Sequence, residues 1–246
     1  MPYVTAWLTA TQPRTDTPNV IHLAEADGAR GRVFPLIVAS VMDHLVGDDV
    51  LSRLRYAKAA QAIRNRIPTG KRIRSGTLGE IIATDYVIET GPFVVPLKRL
   101  RYQDDREMAM RGDDIIGVDT GTVPPRVLKA EVKSRVTLSA SVVTQMCEAL
   151  DNNDGRPKPS SLAFTSMTLR REGKDALARV IEELQEHDVD ASRMTHVAFT
   201  LSANDPTELL YTMAVEANAI SDRRFIGAVV ADHQAFIAAI FAACNA

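Results

Sequence analysis

Two short apolar runs in the middle of the chain carry acids at set places. Ile115, Ile116 and Val118 follow Asp113 and Asp114. Further on, Val127, Leu128, Ala130 and Val132 are interleaved with Lys129, Glu131 and Lys133. Alternation of this kind predicts a strand, because successive side chains point to opposite faces, and it sets Glu131 and Lys133 on one face. Gly121, Pro124 and Pro125 lie between the runs and suit a hairpin connection. Such a hairpin brings Asp113 or Asp114 close to Glu131, with Lys133 beside them.

The rest of the pattern predicts a sheet with helices around it. Residues 3–8 and 20–23 read as one or two short strands with a loop over 12–18, followed by a turn over 24–31. Helical spacing runs from Phe34 to Leu45 and ends at Gly47; Asp48 then caps a second helix reaching about Asn65. Pro68-Thr69-Gly70-Lys71 breaks the pattern, and Ser75 caps the next helix, to about Glu89. Phe93 to Tyr102 reads as the first strand of the core sheet, followed by a turn over 104–107. Ser139 or Ser141 caps a helix to about Leu150, and residues 152–159 form a loop. Ser160 to His187 reads as helical with an interruption at Gly173. Strands follow at Thr195–Leu201, Leu209–Val215 and Arg224–Val230, then a final helix over 232–243. The expected fold class is α/β: a mixed central sheet flanked by helices, with additional C-terminal strands and a helix.

A chain of 246 residues that is 46% hydrophobic and 24% charged can bury a substantial core as one domain. Its net charge of −2 hides a local excess. Residues 53–101 hold eleven cations against three acids, a net +8, so the remainder is strongly acidic. A basic block directly upstream of an acidic site suits a polyphosphate substrate. Arg64, Arg66, Lys71, Arg72, Arg74, Lys98, Arg99 and Arg101 are the candidate DNA-binding residues. Cys147 and Cys244 form no C-x-x-C pair, so both are expected as buried thiols of a reducing compartment. The five histidines are scattered, without an H-E-x-x-H. Gly70-Lys71 lacks the remainder of a P-loop, and no other nucleotide-binding motif is present. No basic-then-apolar leader and no apolar run of membrane length is seen, so the expected location is cytoplasmic and no membrane is expected as a partner.

Two carboxylates held together repel and push each other's pKa upward, and a divalent cation removes the conflict. Mg²⁺ (or Mn²⁺) favours one or two carboxylates, waters and a substrate phosphate. A neighbouring lysine can orient water or stabilise charge growing on the phosphate. Gly79-Glu80 falls in the early turns of the helix before the hairpin; the glycine permits close approach of another element, and Glu80 can face the metal.

The order of these parts resembles the PD-(D/E)xK nuclease superfamily: helix with Gly79-Glu80, strand, Gly112-x-Asp114, Glu131-x-Lys133, then a helix with Gln145. That resemblance implies a restriction-endonuclease-like core over 51–155, an N-terminal strand and helix extension over 1–50, and C-terminal helices and strands over 156–246 completing the sheet. It implies that Asp114, Glu131 and Glu80 hold the metal, with Asp113 the alternative ligand. Lys133 would assist the attacking water, and Gln145 would complete the catalytic set. The usual proline before the aspartate is absent. More narrowly, Ser75-Gly76-Thr77-Leu78-Gly79-Glu80-Ile81-Ile82 together with Leu128-Lys129-Ala130-Glu131-Val132-Lys133-Ser134 resembles the HamA/AbpA-type nuclease family of bacterial antiphage defence, of the Hachiman system. The implied function is Mg²⁺-dependent cleavage of DNA by an effector subunit, with a superfamily-2 helicase (HamB-like) as the separate ATPase partner. Two other readings use the same residues: a stand-alone restriction or repair nuclease, and a catalytically silent DNA-binding module. Retention of Glu80, Asp114, Glu131 and Lys133 together argues against the silent module.

Overall fold

In the computed structural model, the described residues are 2–14, 16, 19–47, 65–186, 189–216 and 222–245. The expected helix from Asp48 to Asn65 lies outside them, as does Arg64. The elements in chain order are α1 (Val4–Trp7), β1 (Leu8–Thr11), β2 (Val20–Glu25), α2 (Ala29–Leu45), α3 (Lys71–Thr90), β3 (Ile115–Asp119), β4 (Arg126–Arg135) and α4 (Ala140–Asp151). They continue with α5 (Pro159–Arg171), α6 (Asp175–Glu186), β5 (Met194–Ser202), α7 (Thr207–Glu216), β6 (Asp222–Val229) and α8 (His233–Ala243).

The six strands form one mixed sheet in the order β1-β2-β6-β5-β4-β3. The inner strands β2, β6, β5 and β4 run parallel, and β1 and β3 close the two edges antiparallel. All nine residues of β5 are buried, as expected of a parallel strand covered on both faces. On one face, Leu128, Ala130, Val132, Phe199, Leu201 and Ile226 pack under α1, α2, α3 and α8. On the other, Ala198 and Phe225 meet α4 and α7, while Val118, Val127 and Met194 meet α5 and α6. The α/β class with a mixed, helix-flanked sheet is therefore as expected.

The β3–β4 hairpin forms where alternation predicts it. Ile115 pairs with Ala130 and Asp119 with Arg126. β4 then outruns β3: residues 131–135 pair only with β5, which leaves their other edge open. Continuing the register by one residue sets Asp114 beside Glu131. The helix carrying Glu80 packs directly on β4, and a Cβ placed on Gly79 would stand 2.9 Å from Ser134 Cβ. The glycine is what permits this approach.

Three expectations are corrected. Residues 93–102 are not a strand: only Val94 pairs, with Val118, at 2.9 Å in both directions, and a 3₁₀ turn follows at Arg99–Tyr102. Pro92 and Pro96 lack the N–H a ladder requires. Leu209–Val215 is helical rather than extended. Asp205 accepts from the main-chain N–H of Thr207 at 2.9 Å and from its hydroxyl at 2.5 Å, capping α7, and Leu210 and Tyr211 turn inward. The helix of Glu80 starts at Lys71, with Gly70 in the cap position; Ser75 lies inside it and its hydroxyl is within 2.9 Å of that of Ser134. Cys147 is buried and Cys244 half-buried, both free.

Candidate active site

The helix α3, the 3₁₀ turn and the β3–β4 hairpin converge on one polar cluster. Arg99 is its centre. Its Nε reaches Glu80 Oε1 at 2.7 Å, and its Nη2 reaches Glu80 Oε2 at 3.0 Å and Asp114 Oδ1 at 2.9 Å. The second oxygen of Asp114 accepts the Val132 main-chain N–H at 2.8 Å, on the β4 edge that β3 leaves open. Lys133 is ion-paired to Glu131, two residues before it on the same strand face. A cavity of about 190 Å³ is lined by Glu80, Arg99, Asp114 and Lys133.

Three carboxylates meet Arg99 and Lys133 here, with Arg72 and Arg135 further along the cavity wall. Burial pushes the Glu80 carboxyl up to about 7, with the charges of Asp114 and Glu131 adding to it and Arg99 opposing. Burial also raises Glu131, and the charge of Asp114 is the next cause; Lys133 pulls it down. Arg99 is held protonated more firmly than usual by Glu80 and Asp114, despite its own desolvation. Burial thus outweighs ion pairing at Glu80, a signature common at functional sites.

Of the two adjacent aspartates, Asp114 belongs to the cluster. Asp113 turns away: its Oδ2 accepts the Lys158 main-chain N–H at 2.7 Å, and its Oδ1 lies 3.9 Å from Lys129 Nζ. Gln145 sits on the exposed side of α4, opposite buried Val143, Met146 and Leu150, and makes none of the hydrogen bonds that join the cluster.

The basic block divides into two. Lys98 and Arg101 both pair with Asp43, Arg101 at 2.6 Å, and Arg99 is inside the acid cluster. Arg66 donates to the Arg101 carbonyl. Lys71 and Arg72 are exposed at the start of α3. Arg74 donates to the Pro68 carbonyl at 2.7 Å. The place of Arg99 was not legible in the sequence, because nothing in Lys98-Arg99-Leu100-Arg101 separates one cation from the others. Lys129 did leave a signal: it is a lysine on an apolar strand, in step with Glu131 and Lys133.

As to a metal, Glu80, Asp114 and Glu131 supply hard oxygen and excess negative charge, which fits Mg²⁺ in kind. In the present arrangement Arg99 supplies the cation between Glu80 and Asp114. Among the described residues no three of His, Cys, Asp and Glu stand at metal-ligand spacing.

Fold and site together define an α/β protein whose sheet edge carries an acid-rich cluster with a paired lysine. The chain belongs to the HamA family of Hachiman antiphage defence: that family's model matches residues 1–244. The Hachiman protein HamA of Bacillus cereus is 28% identical over 197 residues, which cover 78% of this chain and 68% of that protein. No helix among the described residues is long and apolar enough to cross a membrane.

Proposed function

We propose that this chain is the nuclease effector of a Hachiman-type defence system, hydrolysing DNA phosphodiester bonds with Mg²⁺ or Mn²⁺ and working with a helicase partner. The observation that carries the reading is the convergence of buried Glu80 and half-buried Asp114 and Glu131 with Lys133 at a strand edge that β3 leaves open, in a chain of the HamA family. The arrangement is in keeping with a PD-(D/E)xK site. Glu80, Asp114 and Glu131 are the residues that would hold the ion. When bound, the ion would polarise the phosphate and lower the pKa of an attacking water. Lys133, tethered by Glu131, holds a positive charge where the nucleophile approaches and where charge grows on the phosphate. Asp114 is oriented by the Val132 N–H, so its other oxygen, which accepts from Arg99, faces the cluster. The helicase partner rests on the family setting and on the lack of a nucleotide-binding motif in this chain.

The test is cleavage of labelled DNA across a Mg²⁺ series, with binding measured in parallel. Lys133→Ala abolishes cleavage at every Mg²⁺ concentration. Glu131→Ala also abolishes it, but with partial recovery at high Mg²⁺, because it weakens the ion's site rather than the nucleophile's. Full activity in either variant refutes the assignment. Co-purification with an ATPase of the helicase type, and a change in cleavage when that protein is added, tests the partner. A catalytically silent DNA-binding module is the second reading, favoured by Arg99 standing where the ion would; wild-type protein that binds DNA and never cuts it, with or without the partner, establishes that one.

A further inference from the structure

A second cavity, of about 620 Å³, opens beside the acid cluster between the start of α3, the end of β4 and the start of α8. Four cations line it: Lys71, Arg72, Arg74 and Arg135. No acid does. Arg72, Ser134 and Arg135 also line the 190 Å³ cavity that holds Glu80, Asp114 and Lys133, so the two adjoin across a shared wall. The polar floor is built rather than incidental. The Ser134 hydroxyl is 2.9 Å from that of Ser75 and 3.0 Å from His233 Nε2, and His233 is 2% exposed. Two of the cations are positioned. Arg74 donates to the Pro68 carbonyl and lies 5.5 Å over the Phe241 ring, and Arg135 donates to the Ser134 carbonyl at 2.9 Å. Lys71 and Arg72 are exposed, and among the described residues neither is ion-paired to a carboxylate.

We propose that this groove is the track for the sugar–phosphate backbone on one side of the scissile phosphate, built by Lys71, Arg72 and Arg135 with α8 as its wall. The proposal rests on the nuclease reading and adds to it which surface carries the substrate. A four-cation groove without acids would attract a polyanion and repel most protein surfaces. The wall it shares with the acid cluster's cavity gives the strand a direction: a phosphate passing Arg135 and Arg72 arrives next to Lys133. The groove also sorts the basic block. Lys98 and Arg101, both paired with Asp43, take no part in it, whereas Arg135, outside that block in the sequence, does.

Binding of a labelled oligonucleotide to the full chain in EDTA tests this apart from any cleavage. Lys71→Ala/Arg135→Ala should weaken binding by about tenfold or more at low salt, and should flatten the slope of log affinity against log salt by about 1 to 2. Lys98→Ala should bind as wild type does. Gln234→Glu, which puts an acid on the α8 wall, should also weaken binding. Urea midpoints close to wild type exclude misfolding as the cause. An unchanged affinity and slope in the double variant overturns the proposal, as does a wild-type chain that does not bind DNA. A protein that cuts DNA but ignores the double substitution sinks the groove alone. One that binds through the groove but never cuts sinks only the nuclease reading.

Discussion

Asp113 and Asp114 are neighbours in sequence and end in two different kinds of polar site. Asp113 joins a closed network. Lys129, only 2% exposed, donates to the carbonyls of Leu150 at 3.0 Å and Asn152 at 2.8 Å, with Asp113 3.9 Å away. Asp113 itself holds the Lys158 N–H, and its own N–H donates to Ser161 Oγ at 3.0 Å. Nearby, His196 meets the Gly155 carbonyl at 2.6 Å, and Arg223 bridges His196 and Asp151. Each charge there ends on a fixed partner, and the network straps the loop over 152–158 to the sheet. Asp114 joins an open site: burial and repulsion raise Glu80 and Glu131, and two cavities adjoin there. Satisfied buried polar groups specify shape, whereas uncompensated charge stores an affinity for something not yet bound. The same strand face of β4 serves both, with Lys129 at one end and Glu131 and Lys133 at the other.

Substitutions along that face break the comparison in different currencies. The largest expected effect is Lys133→Ala, which lowers DNA cleavage by about 10³-fold while changing the unfolding free energy in urea by less than about 0.5 kcal/mol. Lys129→Met should do the reverse: it leaves the Leu150 and Asn152 carbonyls and Asp113 without their donor, costing about 3 kcal/mol of stability by urea unfolding.

The acid of the open site should also leave a mark on stability against pH. The folded pKa of Glu80, about 7, lies above its ordinary 4.5. Its stabilising contribution is therefore fully present below about pH 4.5 and is lost as pH rises through 7. In metal-free buffer, Glu80→Gln should flatten the fall in stability between pH 4.5 and 7. A variant with the wild-type slope would show that Glu80 is already ionised in the fold. The smallest effect belongs to Asp113→Asn, expected to cost about 1 kcal/mol and to leave cleavage within a few-fold of wild type, because the amide oxygen can still accept the Lys158 N–H. Asp114→Asn should instead abolish cleavage at little cost in stability.

Much of the fold was readable from local pattern. Period-two alternation located β4, and the acids leading into β3 fell beside Glu131 once the hairpin closed. Gly173, at a φ of +71°, splits α5 from α6 where the helical pattern is interrupted. The failures were also local. Leu209, Tyr211, Met213 and Val215 alternate like a strand, yet the capping carboxylate of Asp205 and the packing of Leu210 made α7. Phe93–Tyr102 has strand-like composition, but its prolines allow a single bridge.

In the candidate site, spacing plus one hairpin sets Glu131 and Lys133 beside one of two adjacent aspartates, while the approach of Glu80 depends on α3 packing on β4. The choice between Asp113 and Asp114 came from Lys129 and Lys158 on one side and Arg99 on the other, which no local pattern encodes. Nor does any pattern encode the fate of the basic block, where Asp43 pairs with both Lys98 and Arg101 and Arg99 enters the acid cluster. The physical reason is range. Alternation and capping act within a few residues of the chain, so a sequence displays them directly. The partner of a charge is decided across the folded interior, as between Asp43 and Arg101 or between Ser134 and His233, and only the packed structure brings such groups together.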